Sequence, residues 1–442
     1  MHSATPNIAS SKSAEMRSGK LKVLVSAFAT SPNRGSEYAV GWEYIKAIAG
    51  QHNIWAITAE SEREAIETYL YNHPGEMQNV SFHFIPWREP TLTGLKLHVI
   101  RGNLYATWQK QCYALARVLD AEVDFDIVHH LNGTGFREPG YLWRLGKPFV
   151  WGPLGGLQYF PLRFLRAVPA ATALFLLAKN LTTVWMMHIA RRPRMAAMAS
   201  AGMIAATKHT AGMIRRLWKK PSVVISEVLL ETDAERRLAR RKKDEPLRII
   251  WCGRIDPLKA LHLLLTALAR LERTVQWELT IIGGGVLEGQ CQEMAIRFGI
   301  AEHCRFLGHQ PREKVLEIMR TGHVFVHTSL YELTGTVTVE AMNAGLPLVC
   351  LDHLGIKDVV KNDCGLLVHA KNVKEVVAGF TDALRRLWMD EESRYRMALA
   401  AQSASRRFSP EIMLRALLPI YADASNRDRQ RRNESINRPA KR

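Results

Sequence analysis

The sequence has no acidic residue from Pro139 to Ser226, a stretch of 88 residues that contains 13 lysines and arginines. The whole chain of 442 residues has 60 Lys and Arg against 42 Asp and Glu, so its formal net charge is +18. A basic excess of this size favours a polyanionic partner, such as nucleic acid, an anionic membrane surface or a phosphate-bearing substrate. Much of that excess lies in one segment, which points to a localised contact rather than a generally basic surface.

Metal-binding and secretion signals are also missing. None of the six cysteines has C-x-x-C spacing, which argues against a zinc ribbon or a thioredoxin-type site, and the histidines show no metal-ligand spacing. Residues 1–20 contain no apolar run of the kind that a secretory signal needs. We therefore expect a disordered N-terminal tail over 1–20, no bound metal, no cofactor and a cytoplasmic location.

The most apolar run, residues 168–178, is too short for a membrane-spanning helix, which needs about 20 apolar residues. Lys179 and Asn180 separate it from a second apolar segment at 184–190. A spanning helix and a pair of buried helices both remain open, but we favour an amphipathic hairpin that lies on an anionic bilayer within the basic stretch 160–220. The aromatic side chains available to enter the bilayer are Phe160, Phe164, Phe175, Trp185 and Trp218.

Apolar runs of strand length alternate with helical patterns twice along the chain, which predicts an α/β protein with two doubly wound, Rossmann-like parallel sheets facing each other across a cleft. Ligands of such sheets bind at the carboxyl ends of the strands. The composition predicts these boundaries: an N-terminal domain over 21–225, a linker over 226–246, a C-terminal domain over 247–405, a terminal helix over 406–424 and a basic disordered tail over 425–442.

The segment GRIDPLK, Gly253 to Lys259, follows a predicted buried strand and precedes a predicted helix. Asp256 is a favourable N-cap and Pro257 a favourable first helical residue. This arrangement puts Arg254 and Lys259 beside a helix N-terminus, where two cations suit a diphosphate. Taken alone, the pattern also fits two ordinary surface cations.

A second segment, ELTGTVTVE, places Glu332 and Glu340 eight residues apart across a predicted loop-to-helix junction. Gly335 allows the backbone to approach a ligand closely, and the free amides near Gly335 and Thr336 would face an anion. Carboxylates only accept hydrogen bonds, which suits the hydroxyls of a sugar or a ribose. The spacing alone is weak, because two glutamates eight residues apart are common.

Together the two segments resemble the nucleotide-sugar-binding domain of the family-4 retaining glycosyltransferases, which have the GT-B fold. The resemblance is strong over residues 247–387 and looser over the N-terminal half. It implies that Gly253, Arg254 and Lys259 bind the donor diphosphate and that Glu332 and Glu340 bind the donor sugar and the ribose. The sequence departs from the family pattern at Ala260, where the family usually has glycine.

The resemblance also implies roles in the N-terminal half. His129 and His130 end a predicted strand, and the register favours His129 as the histidine beside the donor sugar and the acceptor. A packed, hydrogen-bonded structural histidine is the alternative. Gly35 and Ser36 follow the first strand and are expected to line the donor phosphates, although Ser36 also fits a simple helix cap.

The predicted function is a retaining, metal-independent hexosyltransferase that uses a nucleoside-diphosphate sugar and a membrane-associated glycan or lipid-linked acceptor. By resemblance the pathway is polysaccharide or lipopolysaccharide assembly on the inner face of the cell membrane. A silent GT-B-like scaffold and a basic nucleic-acid-binding protein are the alternatives, and we expect no nucleic acid partner because no such motif is present. A dinucleotide fingerprint is excluded, since Glu288 stands where the pattern after Gly283 and Gly285 requires glycine.

Overall fold

A computed structural model of the chain describes residues 19–87, 95–133, 135–231, 237–238, 240–333, 335–361 and 363–436. Most of the predicted N-terminal tail lies outside these residues. The first half of the chain forms a sheet of parallel strands: β1 (Lys22–Ala27), β2 (Asn53–Ala59), β3 (Val80–Ile85), β4 (Ile127–Asn132), β5 (Phe149–Leu154), β6 (Ser200–Ala205) and β7 (Val223–Val224). Their spatial order is β3-β2-β1-β4-β5-β6-β7. The helices of this half are α1 (Glu37–Ala49), α2 (Arg63–Asn72), α3 (Leu95–Val123), α4 (Ala170–His188), α5 (Arg191–Ala199) and α6 (Lys208–Trp218).

The second half forms another parallel sheet: β8 (Leu247–Cys252), β9 (Trp277–Ile282), β10 (Cys304–Phe306), β11 (Val324–His327), β12 (Leu348–Leu351) and β13 (Gly365–Val368). Their order is β10-β9-β8-β11-β12-β13. The helices here are α7 (Leu261–Leu268), α8 (Glu288–Arg297), α9 (Arg312–Met319), α10 (Thr336–Asn343), α11 (Ile356–Val359), α12 (Val373–Met389), α13 (Glu391–Ser405) and α14 (Pro410–Ile436).

In each sheet the first strand of the domain, β1 or β8, lies in the interior, and the strand order runs outward from it in both directions. The prediction of two doubly wound domains is therefore confirmed. The central strands are continuous apolar runs because helices cover both faces of each sheet. Every residue of β4 is buried, for example, and so is every residue of β11. The carboxyl ends of the parallel strands meet at one edge of each sheet, which is where the predicted site residues follow their strands.

The C-terminal helix differs from the prediction, because α14 continues to Ile436 and does not end at residue 424. It returns to the first half of the chain, where Leu417 and Tyr421 are fully buried against the β-sheet. Arg429 then forms an ion pair of 3.1 Å with Asp126. The predicted disordered tail over 425–442 is therefore wrong for 425–436, since these contacts stabilise the helix, and residues 437–442 lie outside the described residues.

The connection between the two sheets packs against the second domain in its described residues. The amide of Leu230 donates to the carbonyl of Phe408 at 3.0 Å. Arg241 is buried, and its guanidinium donates to the carbonyl of Trp388 at 2.6 Å. These contacts fix Leu230 and Arg241 of the connection against the second domain.

The basic stretch does not form a pair of buried helices. Only 17% of the most apolar window of α4 is buried, and this helix is long and apolar enough to cross a membrane by length and composition. Of the five aromatic residues predicted to face a membrane, Trp185 is 56% exposed and Phe175 is partly buried against the core of the second domain. Phe160, Phe164 and Trp218 are in the protein core. The prediction is wrong for these three because Phe160 and Phe164 pack into the core of the second domain and Trp218 stacks on Trp151.

Candidate active site

The candidate site begins at the loop that follows β8. The Asp256 carboxylate accepts hydrogen bonds from the amides of Leu258 and Lys259, at 2.9 and 2.8 Å. These bonds form a turn rather than the first turn of a helix, and α7 starts only at Leu261. The reason is Ala260, whose left-handed backbone (φ 50°) interrupts the helical path at the position where the resemblance expects glycine. The turn directs Lys259 toward the loop after β11.

Three side chains from that turn, from the end of β11 and from the following loop meet at the centre of the site. The Lys259 ammonium is ion-paired with Oε2 of Glu332. His327 Nε2 lies 3.4 Å from the same carboxylate oxygen. Burial alone would raise the pKa of Glu332, but the Lys259 ammonium and His327 hold that pKa well below its ordinary value. Lys259 and His327 therefore favour the ionised form of Glu332, a hydrogen-bond acceptor, inside a mostly enclosed site.

The loop after Glu332 turns into α10 at Gly335, which has a left-handed backbone conformation with φ 62°. Thr336 is the first residue of α10, and Thr338 donates its amide back to the Gly335 carbonyl at 2.8 Å. The first amides of a helix have no partner within the helix. This N-terminus therefore presents partial positive charge and N–H donors beside Glu332.

Glu340 lies on α10 and is almost completely buried. Its Oε1 atom is 3.0 Å from Nε of Arg312, which is on α9. Burial raises the pKa of Glu340, and Arg312 opposes that effect. The second carboxylate of the predicted motif is thus held in place by a cation that the motif does not include.

The two other predicted donor residues of this half lie at the edge of the site. Arg254 pairs with Asp256 at 2.9 Å, but its side chain is 77% exposed. Gly253 lies against the stem of Lys259, since a Cβ at this position would be 3.8 Å from the lysine Cδ. Arg254 is therefore a cation on the rim, while Lys259 is the cation at the centre.

The prediction that His129 faces the donor is wrong. Its side chain is fully buried, with Nδ1 2.6 Å from the Tyr421 hydroxyl and Nε2 2.6 Å from the Gly152 carbonyl. The side chain projects toward the sheet face that α14 covers, so the structural alternative is correct. Burial lowers the pKa of His129 to about 4. His130 is also fully buried, and burial together with His129 lowers its pKa to about 3.

Gly35 and Ser36 lie in the loop between β1 and α1. Ser36 is exposed and precedes α1, but its side chain makes no capping hydrogen bond, and its backbone is left-handed with φ 59°. A Cβ at Gly35 would have no neighbour within 4 Å. The Asn132 side chain holds both ends of this loop. It accepts a hydrogen bond from the Ala29 amide at 3.2 Å and donates one to the Glu37 carbonyl at 3.2 Å.

The two domains meet beside Glu332. The Gln158 side chain donates to the Glu332 carbonyl at 3.4 Å, and the Tyr331 hydroxyl donates to the Gln158 carbonyl at 3.3 Å. A Cβ at Gly155 would overlap the Leu333 side chain. The loop after β5 therefore lies directly against the glutamate loop of the second domain.

Comparison with known proteins supports this description of the second half. Residues 233–403 match the family model "Glycosyl transferases group 1". This match includes both glutamates and the lysine of the candidate site. A D-inositol 3-phosphate glycosyltransferase of Xylanimonas cellulosilytica is 31% identical over 252 residues, which are 52% of this chain and 58% of the relative. The chain spans about half the length of the curated relatives that it matches.

Solved structures show the fold beyond residues 233–403. Anabaena HepE, solved in complex with UDP, is similar with a TM-score of 0.59 at 15% identity, over 91% of this chain and 99% of HepE. The lipopolysaccharide outer core galactosyltransferase WaaB is similar with a TM-score of 0.59 at 14% identity, over 92% of this chain and 98% of WaaB. The predicted GT-B architecture is thereby confirmed.

Sequence reasoning missed His327 and Arg312, which contact the two glutamates of the candidate site. His327 ends β11, and a polar residue at the carboxyl end of an otherwise apolar strand is the signal that could have identified it. Arg312 gave no such signal, because its contact with Glu340 depends on how α9 packs against α10. Among the described residues, no group of three or more His, Cys, Asp or Glu side chains could hold a metal ion.

Proposed function

We propose that this protein is a retaining, metal-independent glycosyltransferase that transfers a hexose from a nucleoside-diphosphate sugar. The observation that supports it most directly is the Lys259–Glu332 ion pair beside the N-terminus of α10. A cation, a row of helix-end amides and an ionised carboxylate are what a diphosphate-linked sugar requires. The similarity to HepE, which was solved with UDP, agrees with a nucleotide-sugar donor.

In this proposal the diphosphate replaces Glu332 as the partner of Lys259, and the amides at Gly335 and Thr336 contact the same phosphates. Arg254, at the edge of the site, contacts the phosphates with its guanidinium. The backbone at Gly253, Gly35 and Ser36 lies close to the phosphates. These positive groups stabilise the charge that develops on the leaving diphosphate, which is the role a metal ion would otherwise have.

The two glutamates then bind hydroxyl groups. Glu332, freed from Lys259, accepts hydrogen bonds from the donor sugar, and His327 keeps its carboxylate oriented. Glu340 uses Oε2 for the ribose while Arg312 holds Oε1. The acceptor oxygen attacks the anomeric carbon from the face that the diphosphate leaves, and its proton passes to the departing phosphate oxygen. The new bond therefore has the configuration of the old one.

We propose that the acceptor is a membrane-associated glycan or lipid-linked sugar, in polysaccharide or lipopolysaccharide assembly at the inner face of the cell membrane. The support is the exposed face of α4, whose apolar side chains recur at helical spacing: Leu174, Leu177, Leu181, Val184 and Trp185, followed by the exposed Ile189 just after the helix. Exposed cations flank this face, including Arg163, Arg166, Arg191 and Arg194, and the segment has no acidic residue. An apolar face with basic flanks suits an anionic bilayer.

A thermal-shift screen tests the donor site. The full chain is heated with UDP, GDP, ADP or CMP, with and without EDTA, because a ligand that binds the folded state raises its stability by RT ln(1 + [L]/Kd). We expect one nucleotide to raise the melting temperature regardless of EDTA. Lys259→Ala should abolish the shift, while Lys374→Ala, which removes an exposed lysine of α12, should preserve it. No shift with any nucleotide would contradict the proposal.

Vesicle co-sedimentation tests the membrane face. We expect binding to vesicles of phosphatidylglycerol and phosphatidylcholine, and weaker binding to phosphatidylcholine alone. Leu181→Ser with Trp185→Ser should abolish binding. The matched control is Val286→Ser with Ile296→Ser, which removes two apolar side chains of the second domain that are 84% and 68% exposed, against 72% and 56% for Leu181 and Trp185. Equal loss in both double variants would show that α4 is not the contact.

A further inference from the structure

Two cations of the first half lie together without an acidic partner. Arg137 follows β4, and Lys179 is in the middle of α4. The Arg137 guanidinium donates to the Lys179 carbonyl at 3.4 Å and to the Thr183 hydroxyl. Both side chains are partly buried. Among the described residues, neither cation forms an ion pair with a carboxylate.

The surroundings of this pair are unfavourable for uncompensated charge. Burial lowers the pKa of Arg137 and that of Lys179, and for Lys179 the guanidinium of Arg137 lowers it further. A buried charge without a counter-ion is costly, so such groups are normally paired. Two adjacent, partly buried cations without a counter-ion therefore indicate a binding site for an external anion.

The pair lies on the acceptor side of the candidate site. The Lys179 ammonium is 5.0 Å from the centre of the Tyr331 ring, and Tyr331 precedes Glu332. Asn180, the next residue on α4, fixes the loop after β5 by hydrogen bonds of 2.9 Å to both the amide and the carbonyl of Phe160. The cations are thus held in place beside the loops where the two domains meet.

We propose that Arg137 and Lys179 bind the phosphate or diphosphate of a lipid-linked acceptor. This inference rests on the proposed function and adds the group by which the acceptor is recognised. Arg137 uses Nη2 for both Thr183 and Lys179, which leaves the N–H groups of Nη1 and Nε for a phosphate oxygen. The Lys179 ammonium provides three more donors.

The anion is that of a lipid rather than of a free phosphate because of the helix that carries Lys179. One face of α4 contains Thr183 and Met187, which are buried, and the opposite face contains Leu181 and Trp185, which are exposed. Lys179 precedes Thr183 by one turn and therefore lies on the buried face of α4. A lipid whose apolar tail stays with the exposed face would extend its phosphate head past the helix, by roughly 10 Å, to reach Lys179.

The test measures binding of farnesyl diphosphate and of inorganic pyrophosphate to the full chain by calorimetry, with the nucleotide from the screen present to fill the donor site. We expect farnesyl diphosphate to bind, and Arg137→Gln with Lys179→Gln to weaken it on the order of tenfold or more, since two charge-assisted contacts are lost. The matched control is Arg215→Gln with Arg216→Gln, which removes two exposed cations from the same acid-free segment. This control should bind as the wild type does.

Three results would overturn the inference. Equal affinity for pyrophosphate and farnesyl diphosphate would show a free-anion site rather than a lipid site. Unchanged farnesyl diphosphate binding in the Arg137/Lys179 variant would show that the pair is not the contact. Equal loss in the control variant would show only a general effect of charge. Failure of the donor proposal is separate, because it appears as a missing nucleotide shift.

A single substitution keeps the test independent of folding. Lys179→Met retains the apolar stem and removes an unpaired charge, so we expect an unchanged or higher melting temperature together with weaker farnesyl diphosphate binding. A lower melting temperature with unchanged binding would show that Lys179 has a structural role instead.

Discussion

Two clusters of buried charge, one in each half of the molecule, differ in how they are neutralised. In the second domain, Lys259 is paired with Glu332 and Arg312 with Glu340. In the first domain, Arg137 and Lys179 lie close together, and neither forms an ion pair with a carboxylate among the described residues. A paired site is stable before any ligand arrives, and its ligand exchanges one partner for another. An unpaired site depends on its ligand for neutralisation.

The largest expected effect is on turnover, and it tests whether the paired charges act on the donor. Glu332→Gln should lower kcat/KM on the order of a hundredfold to a thousandfold, because the sugar loses an ionised acceptor in an enclosed site. Transfer is measured as nucleotide release from the donor sugar. Glu278→Gln, on the exposed face of β9, is the control and should keep the wild-type rate. A wild-type rate for Glu332→Gln would remove this residue from the site.

The second effect compares the stability of the two regions directly. Lys259→Met leaves the buried Glu332 carboxylate without its main partner and should reduce the free energy of unfolding by roughly 3 kcal/mol. Lys179→Met should cause no such loss. Urea denaturation measures both. Adding Glu332→Gln to Lys259→Met should recover part of the loss, and purely additive losses would contradict the pairing.

The third effect concerns the buried histidines of the first domain. The folded-state pKa values of His129 and His130 are lowered to about 4 and about 3, from an ordinary value of 6.5. The unfolded chain therefore takes up protons first as the pH falls, so stability decreases below pH 6.5. Each histidine contributes about 1.4 kcal/mol per pH unit down to its folded pKa. His130→Leu should remove one histidine's share of this slope, and an unchanged slope would contradict the assignment.

The smallest effect tests whether pairing matters where charge is exposed. Arg254 is paired with Asp256, but its side chain is 77% exposed. Arg254→Ala should leave the unfolding midpoint unchanged, since exposed ion pairs contribute little. It should still weaken nucleotide binding about tenfold, because a charge-assisted contact to phosphate is lost. Unchanged nucleotide binding would place Arg254 outside the donor site.

The sequence by itself determined the two doubly wound sheets and the residues at the ends of their strands. Apolar strand runs and the order of the motifs are local properties, and they place Lys259, Glu332 and Glu340 at the carboxyl edge of the second sheet. The family resemblance added the inference that the two motifs bind the same donor. None of these inferences required knowledge of how distant segments pack.

Only the tertiary structure decided which side chains have partners. The strand register favours His129 as the histidine beside the donor. However, α14, almost 300 residues later in the chain, supplies Tyr421 and covers the sheet face on which the His129 side chain lies. The helical state of residues 425–436 depends in the same way on contacts with Asp124 and Asp126. The exposure of one face of α4 depends on which neighbours pack against it. Burial and pairing are sums over contacts between distant parts of the chain, which no local pattern contains.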